Sequence, residues 1–171
     1  MGDLLIVDGY NIIYNWDSLA ERAQKELEWS RIELEIILED YAGYSGKEIL
    51  LVYDGSAAER SSYVRGQLTV VYTSEEETAD QYIERAVQEH KDGKTGIQIS
   101  VATSDSVEQS VVQGLGAARI SAREFKIQIE NARGSRQNYV ESLPRRSPLE
   151  SRVDPGIYDK LEKIRRGIKR D

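Results

Sequence analysis

Four short apolar runs, set apart by helical patterns, constrain this chain most: Asp3–Asp8, Glu48–Asp54, Leu68–Thr73 and Ile97–Thr103. Each is a near-continuous stretch rich in Leu, Ile, Val or Tyr and flanked by turn residues, as in strands buried on both faces. Between them, Ser30–Tyr44 carries Ile32, Ile36, Ile37, Leu38 and Tyr41, and Thr78–His90 repeats Ala79, Ile83, Ala86 and Val87. Val107–Leu115 repeats Val107, Val111, Val112 and Leu115, and Ala122–Ile129 predicts a further helix. Strands alternating with helices imply right-handed crossovers and an α/β domain: a central, mainly parallel sheet flanked by helices.

In open α/β sheets ligands bind beyond the carboxyl ends of the strands. Three of the four predicted strands run into an aspartate there: Asp8, Asp54 and Asp105. Asp80 falls in the first turn of the helix after the third strand, with Glu77 just before it. A single such aspartate is ordinary, because Asp caps helices and Asp-Gly makes turns. Several together are costly. Two carboxylates ~4 Å apart repel by roughly 4 kcal/mol at an effective dielectric near 20, against a domain stability of ~5–15 kcal/mol. A divalent cation offsets that repulsion, and oxygen-only ligands suit Mg²⁺ or Mn²⁺. Such an ion polarises a phosphoryl oxygen and lowers the pKa of bound water, which suits phosphodiester hydrolysis.

The composition narrows the alternatives. There are no cysteines and one histidine, His90, so disulfides, thiolate metal sites, cysteine nucleophiles and multi-histidine sites are excluded. His90 is expected to be a partly exposed helix residue. No apolar run reaches a membrane span, and the N-terminus reads as a first strand rather than a signal peptide, so a cytoplasmic protein is expected.

The net charge of −7 is unevenly spread. Residues 119–171 hold 14 Lys and Arg against 8 Asp and Glu, leaving −13 on residues 1–118. Gly134, Ser135, Pro144, Arg145, Arg146, Ser147 and Pro148 mark a polar linker over 133–154. A final helix is expected from Asp154 as cap and Pro155 at its first position to a stop near Gly167. It carries an apolar stripe of Ile157, Leu161, Ile164 and Ile168 among basic residues. The expected division is a domain over 1–132 and a basic linker with a C-terminal helix over 133–171.

Val7-Asp8-Gly9-Tyr10-Asn11, Val52-Tyr53-Asp54-Gly55, Glu77-Thr78-Ala79-Asp80 and Ala102-Thr103-Ser104-Asp105, in this order and spacing, resemble the NYN domain. This is a branch of the PIN-like nucleases, and the chain looks more narrowly like its bacterial YacP-like group. The similarity spans about residues 3–130, and the ending, a helix running into Arg165-Arg166-Gly167, is similar too. The resemblance implies a three-layer PIN-like fold and an endoribonuclease using Mg²⁺ or Mn²⁺ held by Asp8, Asp80 and Asp105. It also implies association with the ribosome and cleavage of mRNA during translation.

On that basis Asp8 and Asp105, on adjacent central strands, are expected to hold the metal directly or through water, with Asp80 joining from its helix. Asn11, in the first βα turn, would orient a phosphate or a ligand carboxylate. Asp54 is a ligand, a supporting acid or the edge of an RNA groove. Thr78 and Ser104 either hydrogen-bond the carboxylates or cap helices. Glu77 is read as a helix-start residue favoured by the dipole. Expected RNA contacts are Arg119, Arg123, Lys126, Arg145 and Arg146, with Arg133, Arg136 and Arg152 nearby. Tyr10, Tyr14, Trp16, Tyr53 and Tyr139 are candidate stacking residues.

Four other readings compete. A non-catalytic RNA- or ribosome-binding module of the same fold would not need the full acid set. A haloacid-dehalogenase phosphatase needs a second Asp where Tyr10 stands, and a dinucleotide binder needs a Gly-x-Gly-x-x-Gly turn that Asp8-Gly9-Tyr10-Asn11 does not supply. A receiver-like phosphorylation pocket lacks its lysine near the last strand.

Overall fold

The computed structural model describes residues 2–93 and 96–142. The chain runs β1 (Leu4–Asp8), α1 (Gly9–Asn15), α2 (Asp17–Lys25), α3 (Leu27–Ser45), β2 (Glu48–Tyr53), β3 (Ser61–Arg65) and β4 (Leu68–Tyr72). It continues through α4 (Ala79–Gly93), β5 (Ile99–Ala102), α5 (Ser106–Gly114), β6 (Ala118–Ile120) and α6 (Ala122–Ser142). The strands form one sheet in the order β3-β4-β2-β1-β5-β6, parallel except for the β3–β4 pair. This is the three-layer α/β architecture expected of a PIN-like fold. Among the described residues no helix is long and apolar enough to cross a membrane.

The two-residue period of the strands divides the core. Leu5 and Val7 of β1, with Ile49, Leu51 and Tyr53 of β2, pack with Ile12, Ile13, Leu34, Leu38 and Phe125 from α1, α3 and α6. Leu4, Ile6, Leu50 and Val52 face the other way, onto Ile83 and Val87 of α4 and Val112 of α5. Asp8 continues the alternation of Leu4 and Ile6, so it falls on the α4–α5 side. β1 is wholly buried between β2 and β5. The chain builds β2 to β4 on one side of it and β5 and β6 on the other. The carboxyl end of β1 is therefore at the point where strand order reverses, the place where such sheets bind ligands.

Several elements differ from the sequence reading. The fourth expected strand is confined to Ile99–Ala102. β3 is exposed along its whole length and β6 has only three residues, so neither shows an apolar run. The segment before α3 forms two helices, separated at Trp16, whose extended backbone ends α1 and begins α2. Trp16 itself is buried and donates from Nε1 to the Ala122 carbonyl at 2.8 Å, tying this corner to α6. Helix α6 passes through Gly134 to Ser142, where the sequence suggests a linker. Added carbon at Gly134 would meet nothing, so the position is open surface where a glycine costs the helix only ~1 kcal/mol. Arg145, Arg146 and the expected final helix lie outside the described residues.

Candidate metal centre

Both Asp-Gly steps are set by space rather than by turn geometry. Neither Gly9 nor Gly55 has positive φ. A Cβ at Gly9 would strike the Tyr53 ring, and one at Gly55 would strike the Thr73 carbonyl oxygen. Glycine therefore lets the chain leave β1 and β2 closely packed, with the preceding aspartates held at the sheet edge.

Asp8 ends β1 and caps α1; its Oδ1 accepts from the Asn11 N–H at 3.5 Å. Asp80 reaches in from the first turn of α4. Glu108 reaches in from the first turn of α5, where the sequence pattern puts Val107 on the inward stripe. The true phase is shifted by one residue: Val107 is 72% exposed and Glu108 2%. Glu108 lies four residues before the buried Val112, so an acid on the apolar face was the sequence signal. One carboxylate oxygen from each of Asp8, Asp80 and Glu108 lies within 4.8 Å of the others.

The bonds around Glu108 show how tightly this group is placed. Thr103 Oγ1 donates to Glu108 Oε2 at 2.8 Å, and the Asp105 N–H donates back to Thr103 Oγ1 at 3.2 Å. Glu108 Oε1 is buried and finds no hydrogen-bond donor among the described residues. Facing Asp8, it can be satisfied by a proton held between the two carboxyls or by a cation. Burial, then the charge of Asp8, pushes the Glu108 carboxyl up to about 9. Burial also raises Asp8, with the charges of Asp80 and Asp105 adding to the rise and bonds to Glu108 and the Asn11 N–H opposing it.

The donor set fits a hard divalent ion. Three carboxylate oxygens, each within 4.8 Å of the others, are close enough to converge on one ion and are the hard ligands that Mg²⁺, Mn²⁺ and Ca²⁺ take. An acidic triad of Asp8, Asp80 and Glu108 is thus able to hold a divalent metal.

The other expected site residues take more structural positions. Asp105 Oδ1 accepts from the N–H groups of Val107 at 2.9 Å and Glu108 at 3.1 Å, capping α5 while its charge is still felt at Asp8. Asp54 Oδ1 accepts from the Ala79 N–H at 2.9 Å, at the start of α4. Asn11 Oδ1 accepts from the Ser104 N–H at 2.7 Å, and Ser104 Oγ accepts from the Ala122 N–H at 2.9 Å. These two bonds lash the β1–α1 turn, the β5–α5 turn and the start of α6 together. Thr78 forms a reciprocal cap with Gln81 (Gln81 N–H to Thr78 Oγ1 3.2 Å; Thr78 N–H to Gln81 Oε1 3.0 Å). Glu77 is held by Arg85 through both carboxylate oxygens. His90 is half-buried, with Nδ1 2.8 Å from the Ala86 carbonyl oxygen.

Of the expected RNA contacts, Arg119 and Arg123 are exposed, and Lys126 is half-buried on α6. Trp16 and Tyr53 are core residues, whereas Tyr14 and Tyr139 are exposed.

The position of Asp54 yields a prediction. Asp54→Ala should lower the melting temperature by the equivalent of about 1 kcal/mol, the cost of a lost cap, equally with and without Mn²⁺. A loss seen only with Mn²⁺ would place Asp54 among the metal ligands.

The family model of the YacP-like NYN domain matches residues 5–166. The chain is 32% identical over 168 residues to the Bacillus subtilis (strain 168) protein named uncharacterized protein YacP, covering 96% of this chain and 98% of that one. The crystal structure of Rae1 (YacP) from Bacillus subtilis superposes with a TM-score of 0.72 at 32% identity, over 96% of this chain and 95% of that one. A point mutant of the same protein gives 0.73 at 33% identity, over 85% and 86%. With its fold and acidic triad in place, the chain belongs to the YacP-like NYN domain family.

Proposed function

We propose that this protein is a metal-dependent endoribonuclease that cleaves mRNA in the cytoplasm, in association with the translating ribosome. The observation that carries the reading is the convergence of Asp8, Asp80 and Glu108 at the strand-order reversal, with Glu108 Oε1 buried and unpartnered. A catalytically idle module would have little use for such a costly arrangement. When bound, Mg²⁺ or Mn²⁺ supplies Lewis acidity toward a phosphoryl oxygen and a water of lowered pKa. Asp8, Asp80 and Glu108 would hold the ion; Thr103 orients Glu108; Asn11 and Ser104 fix the two turns between which a phosphate would rest. The ribosome association rests on membership of the YacP-like family and on the net +6 of residues 119–171, which would help an acidic body approach RNA.

The test is to incubate the full chain with mRNA, free and on translating ribosomes, in Mg²⁺, Mn²⁺ or EDTA, and to map the ends. Hydrolysis by a metal-activated water should leave 5′-phosphate and 3′-hydroxyl ends and stop in EDTA. Cyclic-phosphate ends, or activity that survives EDTA, would refute the metal mechanism. RNA or ribosome binding without any cut would favour a non-catalytic module.

A further inference from the structure

On the opposite face of the same sheet edge, tyrosines surround one arginine that the metal chemistry does not use. Arg31 of α3 donates from Nη1 to the Tyr10 hydroxyl at 3.0 Å, and its guanidinium carbon lies 6.0 Å from the Tyr72 ring centre. The Tyr53 ring stacks on Tyr72 at 5.1 Å and lies 5.0 Å from Tyr10, which in turn is 6.4 Å from Tyr14. Tyr53 is the buried floor, packed against Gly9. Tyr10, Arg31 and Tyr72 are half-buried and Tyr14 is 61% exposed.

The partners of Arg31 are unusual for so acidic a body. Glu35, four residues on, is its natural helical partner. Glu35 instead accepts from the Tyr63 hydroxyl at 2.6 Å and pairs with Arg65 at 3.5 Å. Among the described residues no carboxylate lies within ion-pair distance of Arg31. A planar cation stacked beside aromatic rings and left unpaired suits an external phosphate. Tyr10 adds a donor: its oxygen accepts from Arg31, so its own O–H proton can be offered outward.

The placement connects this group to the triad. Tyr53 and Tyr72 are register partners at the carboxyl ends of β2 and β4. Val52, one residue earlier, is the register partner of Asp8, and Tyr10 follows Asp8 by two residues.

We propose that Arg31, Tyr10, Tyr14 and Tyr72 form a subsite for single-stranded RNA, holding nucleotides that flank the bond presented to the acidic triad. Arg31 and the Tyr10 hydroxyl take a phosphate, and an open tyrosine face takes a base. Stacking of this kind needs bases free of a duplex and tolerates any sequence. The inference rests on the nuclease reading above and names the surface through which that site holds its substrate.

The test uses the full chain, Mn²⁺ and a fluorescein-labelled polyuridine oligonucleotide, with cleavage rates and, in EDTA, binding anisotropy across a KCl series. Arg31→Ala should raise KM and Kd about tenfold, the loss of one charge-assisted contact, and leave kcat within about twofold. The slope of log affinity against log salt should fall by about 0.7, the value of one single-strand phosphate contact. Arg31→Lys should restore that slope but only part of the affinity. Tyr14→Ala, an exposed change that leaves the fold alone, should weaken binding several-fold without altering the slope. Unchanged Kd and slope in Arg31→Ala, or unchanged Kd in Tyr14→Ala, would overturn the subsite. If the parent chain binds the oligonucleotide but never cuts RNA, and Arg31→Ala still weakens binding, the subsite stands and the nuclease reading fails. A parent chain that does not bind the oligonucleotide overturns the subsite, and the nuclease reading is then decided by cleavage on translating ribosomes.

Discussion

Asp80→Asn should reduce Mn²⁺-dependent cleavage by at least about a hundredfold, because an ion that supplies several kcal/mol of transition-state stabilisation loses an anionic ligand. The helix itself should scarcely notice. The first turn of α4 is capped by Thr78 and Gln81, and Asp54 accepts from the Ala79 N–H, so none of these bonds needs the Asp80 side chain. In the metal-free protein Asp80 adds its charge to the burial that raises Asp8 and Glu108. Asparagine keeps the shape and removes that repulsion, so the metal-free melting temperature should hold or rise while the increment given by Mn²⁺ shrinks. RNA binding in EDTA should persist. An aspartate that served only the helix dipole would behave the other way, losing up to ~1 kcal/mol of stability with cleavage nearly intact. Near-parental cleavage by Asp80→Asn would place the active centre elsewhere.

The parts of this molecule legible in the sequence are those whose burial is uniform. β1, β2 and β4 are near-continuous apolar runs because the sheet is covered on both faces. The same runs located Asp8, and α4 located Asp80. β3 escaped because an exposed edge strand needs no apolar pattern, and β6 because three residues are too few to show one. α1 and α2 escaped because the turn between them is made by Trp16, held by a bond to a carbonyl 106 residues away. No local signal reports such a partner. Glu108 is the instructive omission. Val107, Val111, Val112 and Leu115 read as one helical stripe; Val112 and Leu115 do pack on the core, but Glu108 rather than Val107 completes their face. Only tertiary contact, Thr103 on one side and Asp8 on the other, makes an acid the better inward residue. Asp105 was equally visible, but the sequence could not say how its carboxylate would be divided between capping α5 and acting on Asp8.

Glu108→Gln should change the pH dependence of stability more than any other single substitution. Burial and the charge of Asp8 raise Glu108 from 4.5 to about 9 in the folded chain. Between those values the folded state holds a proton that the unfolded state has released. The contribution of this group to metal-free stability should therefore be full below about pH 4.5 and be lost as pH rises to about 9, by at most ~1.4 kcal/mol per pH unit for one proton. Asp8, raised in the same direction, shares that proton, so the slope belongs to the pair. Mn²⁺ binding needs both groups as carboxylates and displaces the proton, so its stabilisation should grow as pH rises. The amide of Glu108→Gln can still accept from Thr103 while donating to Asp8, so it makes the bond to Asp8 without having to take up a proton on folding. The variant should be the more stable protein at pH 8 without metal, lack most of the decline with pH, gain little from Mn²⁺ and cleave poorly. Melting temperatures of both proteins across pH 5 to 9, with Mn²⁺ and with EDTA, decide the matter. Parallel pH curves would mean that Glu108 is already ionised in the metal-free fold, and an undiminished Mn²⁺ increment would remove it from the metal centre.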